Sequence, residues 1–499
     1  MADLRISRGT PVVIAVDQGT SSTKAIIVGF DGSVLGRPSV KIARSDPAPG
    51  WVEQDATEIY ESVVQAISTA VAQFDMDVRA IGVSNQRESA VIWDRRTLKP
   101  MGPVLGWQDR RTAHRVAPLE ESGWGARVRE KTGLPLDPMF SALKLNWLLD
   151  QVDPDRSASR RGEIAVGTID SWLVAKLTGE HRIEMGNASR TQLLNLETLD
   201  WDAELLELFD IPVQCMPRIA PSGQATDVLR GVPGLAPGTR IQGVLGDSHA
   251  ALFAHGMRTA GPVKATYGSG SSIMGLMAPA SAEQAPQAID GLVRTIAWFD
   301  TEPAFALEGT ILSTGATVLW LSQVLGVDPS ELSALGQSAP DTQGVDFVPA
   351  FAGLGAPWWD ENAVALITGL GLGTTPAHIA RAAFESVALQ TEDLFAAVES
   401  RLGTTIHTVL ADGGPSQNDW LMQIQADLSG RRVERSNVAE ISATGAAHLA
   451  GIGCGFWTTE ECAILPRDRS PFERTISGEA AEVRRASWHA AIARSRFRP

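Results

Sequence analysis

The chain is poor in cysteine, which limits both the kinds of site it can hold and the compartment it suits. It has 499 residues and three cysteines, Cys215, Cys454 and Cys462. Their spacing contains no pair typical of a metal site, and an odd number cannot complete a disulfide framework. We therefore expect neither a cysteine metal centre nor a disulfide-stapled exported domain, and we expect the reducing cytoplasm as the compartment.

Long apolar runs and an excess of basic residues are also missing. No stretch approaches the roughly 18 consecutive apolar residues of a membrane-spanning helix, and residues 1–11 are too polar for a signal-peptide core. Lys and Arg number 43 against 58 Asp and Glu, which gives a formal net charge of -15. A chain this acidic is poorly suited to nucleic acid or an anionic membrane surface. We expect no nucleic-acid partner and no membrane insertion.

What the chain does have is an ordinary globular composition over a length that favours two domains. Hydrophobic residues make up 44% and charged residues 20%, and β-like runs alternate with helical stretches, as in α/β proteins. A single core stops growing well below this length. A Pro- and Gly-rich segment precedes an apolar run, Ile241–Leu245, and a predicted helix, Ser248–Ala254. We place the boundary after this helix, giving domains 1–256 and 257–499 with a cleft between them.

A hairpin near the N-terminus carries the first functional signal. Residues 14–28 form two apolar runs joined by a turn of Gly and hydroxyl residues, with Asp17 at its mouth. The runs predict adjacent strands. Gly19 permits close backbone approach, and the small hydroxyl residues can donate hydrogen bonds to phosphate oxygens. An ordinary hairpin with a polar turn fits this segment equally well, so the rest of the chain must decide.

Two later segments favour the phosphate-binding interpretation. Residues 263–274 repeat the pattern of a strand, a Gly/Ser turn and a return to apolar residues. Residues 409–415 run from a strand into a double-glycine turn whose flat backbone suits an adenosine, and a helix is predicted to start near Asn418. Each segment alone is also compatible with a plain turn. Their joint occurrence at strand ends in two halves of the chain predicts a duplicated ATP-binding fold.

Further motifs extend over nearly the whole chain. They occupy residues 49–55, 85–88, 107–112, 139–151, 187–191, 351–360, 365–370 and 378–385. Together with the hairpins, these motifs resemble the FGGY family of sugar and polyol kinases, which belongs to the superfamily of actin, hexokinase and heat-shock-chaperone ATPases. Within that family, the motif residues are most similar to those of glycerol kinases. The resemblance implies two actin-like (ribonuclease H-like) domains flanking a cleft for ATP, Mg²⁺ and a small polyol.

Phosphoryl transfer to a primary hydroxyl needs a group that accepts the hydroxyl proton. Asp247 follows an apolar run and precedes a predicted helix, which places it at a strand-to-helix junction facing the cleft. A simple role as the N-cap of that helix is the alternative. The resemblance implies that Asp247 is the catalytic base.

The acceptor needs polar partners that hold its hydroxyls in line for transfer. Arg87 and Glu88 lie just past a predicted strand and offer a donor and an acceptor side by side. Without further context such a pair is usually a solvated surface pair. The resemblance implies that Arg87, Glu88 and Asp247 bind the polyol and that Trp107 packs on its carbon face, although Trp107 alone is equally compatible with a core position.

The resemblance also implies the nucleotide and metal contacts. Asp17 and Asp247 are expected to reach Mg²⁺ directly or through water. Leu319 stands where glycerol kinases usually carry a glutamine near the nucleotide, so no contact is assigned to it. Lys24 replaces an arginine, which keeps the charge and loses a planar fork. The expected nucleotide-binding residues are Thr20, Ser21, Ser22 and Lys24 in the first phosphate loop, Ser269 in the second, and Gly315, Gly414 and Asn418 around the adenosine.

Three departures from glycerol kinases surround the acceptor. Met139 replaces a tyrosine, Ser248 a glutamine, and Ser272 a phenylalanine. Each change gives a shorter or more pliable side chain, which predicts a roomier and more polar pocket. Glycerol is the nearest named substrate, and the alternative is a larger polyol or ketose of four or five carbons. His249 either contacts the acceptor or is an ordinary helix residue.

Two other function classes stay open on the sequence alone. A chaperone-like or filament-forming ATPase would leave the Arg87, Glu88, Trp107 and Asp247 constellation without a role. A non-catalytic sugar sensor would not need the acid and all three nucleotide segments. We also expect closure of the two halves over the substrate and a homo-oligomer, a dimer or tetramer. The small-residue run 442–447 suits either close helix packing near a hinge or an ordinary buried helix.

Overall fold

The computed structural model describes residues 9–278 and 291–498, which form an α/β protein built around one large sheet in each half. The strands of the first half, β1 to β14, are Thr10–Gln18, Ser22–Val28, Val34–Gly36, Ser39–Lys41, Glu53–Gln54, Met76–Asn85, Ala90–Asp94, Val104–Leu105, Ile164–Thr168, Arg182–Glu184, Leu194–Asn195, Asp200–Trp201, Arg218–Ala220 and Ile241–Gly246. Its helices, α1 to α9, are Ala56–Gln73, Val116–Glu121, Trp124–Thr132, Ser141–Val152, Ser157–Arg160, Ile169–Thr178, Met185–Ala188, Ala203–Leu208 and Asp247–Ala254.

The second half continues the same numbering. Its strands, β15 to β23, are Val263–Tyr267, Ser271–Leu276, Val293–Phe299, Pro303–Ile311, Asp346–Val348, Leu366–Thr368, Thr408–Asp412, Arg432–Ser436 and Arg469–Phe472. Its helices, α10 to α16, are Gly315–Leu325, Pro329–Ser338, Pro376–Leu402, Asp419–Ser429, Ile441–Gly453, Thr459–Ala463 and Gly478–Ser495. The predicted run Ile241–Leu245 and helix Ser248–Ala254 each match the structure to within one residue.

The first large sheet has the strand order β14-β6-β1-β2-β3, with β4 beside β2. Strand β1 is central and buried on both faces, which explains its unbroken apolar sequence. Val12 and Val16 pack toward helix α1, whereas Val13 and Ala15 pack toward helix α14. A shift of one residue would move each of these side chains to the opposite face of the sheet, so burial fixes the register of β1. The position of the turn that follows β1 is fixed with it.

The sheet of the second half has the order β17-β18-β16-β15-β21-β22-β23. Strand β15 pairs antiparallel with β16 and parallel with β21. Strand β1 pairs in the same way, antiparallel with β2 and parallel with β6. The predicted duplication is therefore confirmed, since each half presents an antiparallel hairpin next to a parallel strand. A smaller sheet, β5-β8-β7-β9, extends the first half beside the cleft.

Helix α14 belongs to the second half of the sequence but packs on the first sheet. The approach is close enough to require small residues: a Cβ on Gly445 would lie 1.8 Å from the carbonyl oxygen of Ala250, and one on Gly82 would lie 2.3 Å from that of Ala446. The run 442–447 is thus a buried, closely packed helix segment. We propose that the two domains divide at residue 256. Helix α14 then belongs to the second domain, although it packs on the sheet of the first.

Within the described ranges 9–278 and 291–498, no helix combines the length and apolar character needed to cross a membrane.

Candidate active site

Two adjoining cavities occupy the cleft between the paired hairpins. The first, of about 600 Å³, is lined by both hairpins and by residues of the first half. The second, of about 610 Å³, shares Gly268 and Ser269 with the first. Predicted site residues that line the first cavity are Asp17, Thr20, Ser21, Ser22, Lys24, Arg87, Glu88, Trp107, Met139, Asp247, Ser248, Ser269 and Ser272. The second cavity is lined by the three predicted adenosine residues Gly315, Gly414 and Asn418.

The first hairpin presents its turn to the first cavity. The Gly19 amide donates to the Ser22 carbonyl at 3.0 Å and closes the turn. The side-chain amide of Gln54 donates to the Thr20 carbonyl at 2.9 Å and anchors the loop from behind. Asp17 pairs with Lys24 across the hairpin register. Thr20 and Ser22 are consequently held at the cavity wall with an acid on one side and a lysine on the other.

Asp17 stands in an environment that resists a negative charge. Its carboxylate accepts one hydrogen bond from the Ser84 hydroxyl at 2.8 Å. Burial and the negative charge of Asp247 together raise the pKa of Asp17 to about 6, although the Ser84 hydrogen bond and Lys24 oppose the rise. A cation placed between these two carboxylates would relieve this crowding of charge.

The second hairpin is braced by the start of helix α10. The Gly268 amide donates to the Gly270 carbonyl at 2.7 Å, and the Ser269 carbonyl accepts from the Thr314 amide at 2.8 Å. A Cβ on Gly315 would lie 2.5 Å from the Gly268 carbonyl oxygen. Only glycine fits at this helix start, so the turn of the second hairpin and the wall of the second cavity are held in direct contact.

The double-glycine turn after β21 forms the opposite wall of the second cavity. Gly413 has a φ of +92°, and a Cβ there would lie 2.0 Å from the Tyr267 carbonyl oxygen. Asn418 caps helix α13 by accepting from the Leu421 amide at 3.1 Å. Its amide also donates to Ser333 at 2.9 Å. These two hydrogen bonds therefore hold the Asn418 side chain in place at the cavity wall. The 51%-exposed Leu319 also lines this cavity and makes its surface apolar.

Asp247 is the first residue of helix α9, and the N-cap of that helix is Gly246. The alternative role of Asp247 as the N-cap is therefore wrong. Its carboxylate accepts from the Ser248 amide at 2.7 Å and lies 3.3 Å from Arg87 Nε. The side chain is 44% exposed to the cavity. Loss of hydration inside the cleft raises the pKa of Asp247 above its ordinary value, and the positive charge of Arg87 opposes that rise.

Arg87 and Glu88 form part of a buried network, so the alternative of a solvated surface pair is also wrong. Both Nη atoms of Arg87 bond to the Glu308 carboxylate, at 2.8 and 3.1 Å. Arg190 lies 2.6 Å from Glu88 and 2.9 Å from Glu308 through different nitrogens. Two arginines and two glutamates thus alternate at the floor of the cavity. Arg87 is held by protein on one side and faces Asp247 with its Nε.

The charges of this network are set by mutual contact. Burial alone would raise the pKa of Glu308, but Arg190 and Arg87 hold it well below its usual range. His249 is fully buried with Nε2 3.4 Å from Arg87 Nη1, and burial together with Arg87 lowers its pKa far enough to keep the ring neutral. His249 packs behind Arg87 and does not line the acceptor cavity, in line with the helix-residue alternative.

The three unusual positions all line the first cavity. Met139 is half-buried, and the hydroxyls of Ser248 and Ser272 are 3.3 Å apart. Trp107 is 38% exposed and lines the cavity, so the alternative of a core position is wrong. The expected polar character of this wall is present, because each serine is also bonded to a buried charged side chain.

Glu308 and Arg190 at the cavity floor, and Lys264 buried behind Ser248, are residues to which the sequence assigned no role. Glu308 and Lys264 each stand as a lone charge in an otherwise apolar or uncharged strand, β18 or β15. A buried charge needs a partner, so a lone charged residue in such a strand indicates that a partner of opposite charge lies elsewhere in the fold. It could not name the partner, because Arg87 and Glu308 are separated by 221 positions.

A duplicated hairpin fold, with an acid in the same cavity as two hydroxyl-rich turns and with alternating arginines and glutamates at its floor, defines an actin-like kinase for a small alcohol. The protein-family comparison agrees: residues 12–254 match the N-terminal domain and residues 263–454 the C-terminal domain of the FGGY family of carbohydrate kinases. The chain belongs to this family. It is an ATP-dependent phosphotransferase with an alcohol group as acceptor, as predicted.

Individual relatives cover the chain almost completely. It is 41% identical to an apulose kinase of Pectobacterium atrosepticum over 98% of this chain and 99% of that protein. It is 42% identical to a glycerol kinase of Rhodopirellula baltica over 97% of this chain and 90% of that protein. The solved structure of Plasmodium falciparum glycerol kinase with ADP superposes with a TM-score of 0.92 at 29% identity, covering 99% of this chain and all of that one.

Proposed function

We propose that this kinase phosphorylates a terminal hydroxyl of a polyol or ketose of four or five carbons. The observation that carries the proposal is that Met139, Ser248 and Ser272 all line a cavity of about 600 Å³. The pliable Met139 and the two small serines leave room for an acceptor longer than glycerol, and the serine hydroxyls supply hydrogen-bonding capacity. The likeness to an apulose kinase supports a sugar acceptor. Glycerol is the second candidate, favoured by the glycerol kinases among the relatives.

Asp247 is the proposed base. Its exposed carboxylate accepts the proton of the reacting hydroxyl as the new oxygen–phosphorus bond forms. Arg87, 3.3 Å away, keeps that carboxylate ionised and oriented. Glu88 is fixed by Arg190 and accepts a hydrogen bond from a second hydroxyl of the acceptor. Trp107 covers the carbon face and excludes water from the reacting atoms.

The nucleotide is held by the two hairpins. Thr20, Ser21, Ser22 and Ser269 donate hydrogen bonds to its phosphates, and Lys24 supplies positive charge. Asp17 and Asp247 line the same cavity, and the raised pKa of Asp17 marks a site whose charge suits a divalent cation. These two carboxylates would hold Mg²⁺, which when bound neutralises charge on the phosphates. We also assign the protein to the cytoplasm, supported by the free thiols of its three cysteines.

An acceptor panel tests the proposal. ADP release by the purified protein with Mg-ATP would be measured over glycerol, dihydroxyacetone, erythritol, threitol, ribitol, xylitol, ribulose, xylulose and apulose. We expect the highest kcat/KM for an acceptor of four or five carbons. A clear preference for glycerol would overturn the longer acceptor and leave the second candidate. A flat panel would overturn both acceptor assignments.

A further inference from the structure

Two serine hydroxyls face each other across the side of the cavity that departs from glycerol kinases. Ser248 lies in the first turn of α9 and Ser272 near the start of β16, and both line the cavity. Their Oγ atoms are 3.3 Å apart. This separation exceeds the usual range of about 2.5–3.0 Å for a hydroxyl–hydroxyl hydrogen bond, so the direct bond between them is weak.

Buried charged groups determine what each hydroxyl has left to offer. Lys264 Nζ donates to Ser248 Oγ at 2.6 Å and to Thr266 Oγ1 at 2.9 Å. Ser248 is therefore an acceptor in this contact and keeps its own proton. Ser272 Oγ donates to the Glu308 carboxylate at 2.8 Å, so its proton is used and its lone pairs are free.

Apart from the weak bond between them, the two serines consequently present one donor, Ser248, and one acceptor, Ser272, side by side. A hydroxyl group that contacts both from the cavity would accept from Ser248 and donate to Ser272, in place of their weak mutual bond. A carbonyl oxygen would satisfy only Ser248, and a methyl group neither. The contact with Lys264 makes Ser248 a stronger donor, and the contact with Glu308 makes Ser272 a stronger acceptor, because charged partners polarise the hydroxyls.

We propose that Ser248 and Ser272 form a subsite that binds one hydroxyl of the acceptor beyond the glycerol-sized unit held at Arg87, Glu88 and Asp247. The inference rests on the proposed function, since glycerol itself has no further hydroxyl to place there. It makes the substrate class an acceptor with a fourth hydroxyl at the distal end. Lys264 and Glu308 act as positioning residues that fix the direction of the two hydrogen bonds.

The test removes a hydroxyl from the enzyme and from the acceptor in the same set of measurements. Wild type, Ser248→Ala and Ser272→Ala are assayed with the acceptor preferred in the panel and with its terminal deoxy analogue; for erythritol the analogue is 1,2,3-butanetriol. Ser271→Ala is the matched control, because this neighbouring serine also lines the cavity but already uses its proton in a bond to Thr314 at 3.0 Å. Each subsite variant should lower kcat/KM about tenfold for the full acceptor, the loss of one hydrogen bond, and much less for the deoxy analogue.

The possible outcomes separate the subsite from the proposed function. A loss confined to the full acceptor, absent in Ser271→Ala, supports the subsite, because a structural defect would lower the rate on both acceptors alike. Equal losses on both acceptors, or none, overturn the subsite while the preference of wild type for a longer acceptor stands. A wild type that prefers glycerol overturns the proposed function and the subsite with it.

Discussion

Glu308 offers the most informative perturbation, because one buried carboxylate holds three groups at the cavity floor. It bonds both Nη atoms of Arg87, lies 2.9 Å from Arg190 and accepts from Ser272 at 2.8 Å. Its side chain is 1% exposed. Substitution Glu308→Gln keeps the shape and removes the charge, so two arginines must then share the remaining acids, Glu88 and Asp247.

The magnitude follows from the cost of an uncompensated buried charge. Removing one partner of a buried ion pair typically costs about 3–5 kcal/mol. Glutamine still accepts one hydrogen bond and two acids remain, so we expect the lower end, about 3 kcal/mol in the free energy of unfolding. Arg87 is also drawn toward Asp247, which disturbs the acceptor site and leaves the adenosine wall at Gly414 in place. The KM for the acceptor should therefore rise while the KM for ATP stays near the wild-type value.

Urea denaturation and steady-state kinetics measure both effects. The matched control is Glu302→Gln, the same chemical change at an exposed position just before strand β18. It should leave the unfolding midpoint where it is. If Glu308→Gln unfolds at the same urea concentration as this control, or raises the KM for ATP as much as that for the acceptor, the charge network does not have the assigned role.

Three further predictions concern pH, helix packing and the nucleotide wall. The pKa of Asp17 is raised to about 6 and that of Asp247 is raised above its ordinary value, and both act as carboxylates. The kcat/KM should therefore increase with pH through about 6 and then level off, and a decrease over that interval would contradict these roles. Gly445→Ala places a Cβ 1.8 Å from the Ala250 carbonyl oxygen, so it should lower the melting temperature and kcat, with about 1–3 kcal/mol lost to overpacking; an unchanged melting curve would refute the close contact. Leu319→Gln adds a hydrogen-bonding group to the apolar wall beside the adenosine residues and should lower the KM for ATP, and a KM that stays the same or rises would argue against that placement.

The parts of the fold that could be predicted from sequence are those encoded by local pattern. An apolar run, a Gly and hydroxyl turn and a second apolar run specify a hairpin through neighbouring residues, and both hairpins occur as predicted. The position of Asp247 at a strand-to-helix junction could be predicted, because an apolar run ends and a helix begins there. The crossing of helix α14 onto the first sheet was not predictable, since residues 443–450 carry no local sign of which sheet covers them.

The charge pairs at the cavity floor could not be predicted from the sequence, for the same physical reason. Arg87 was expected to bind the acceptor, but the sequence did not reveal that both of its Nη atoms are bonded to Glu308, 221 positions away. The sequence shows a lone charge in a strand but not the charge that neutralises it. The polar character of Ser248 and Ser272 was predictable, and the direction of their hydrogen bonds was not, because Lys264 and Glu308 determine it.

The central claim is that Asp247 accepts the proton of an alcohol as ATP donates its phosphoryl group. The most direct test compares acceptor-dependent ADP release by wild type and Asp247→Asn, with ATP binding followed by calorimetry in both. We expect kcat to fall by about 10²–10⁴ while ATP still binds, because the variant keeps the shape of the side chain and loses its basicity. Retained acceptor-dependent turnover in Asp247→Asn would contradict the account.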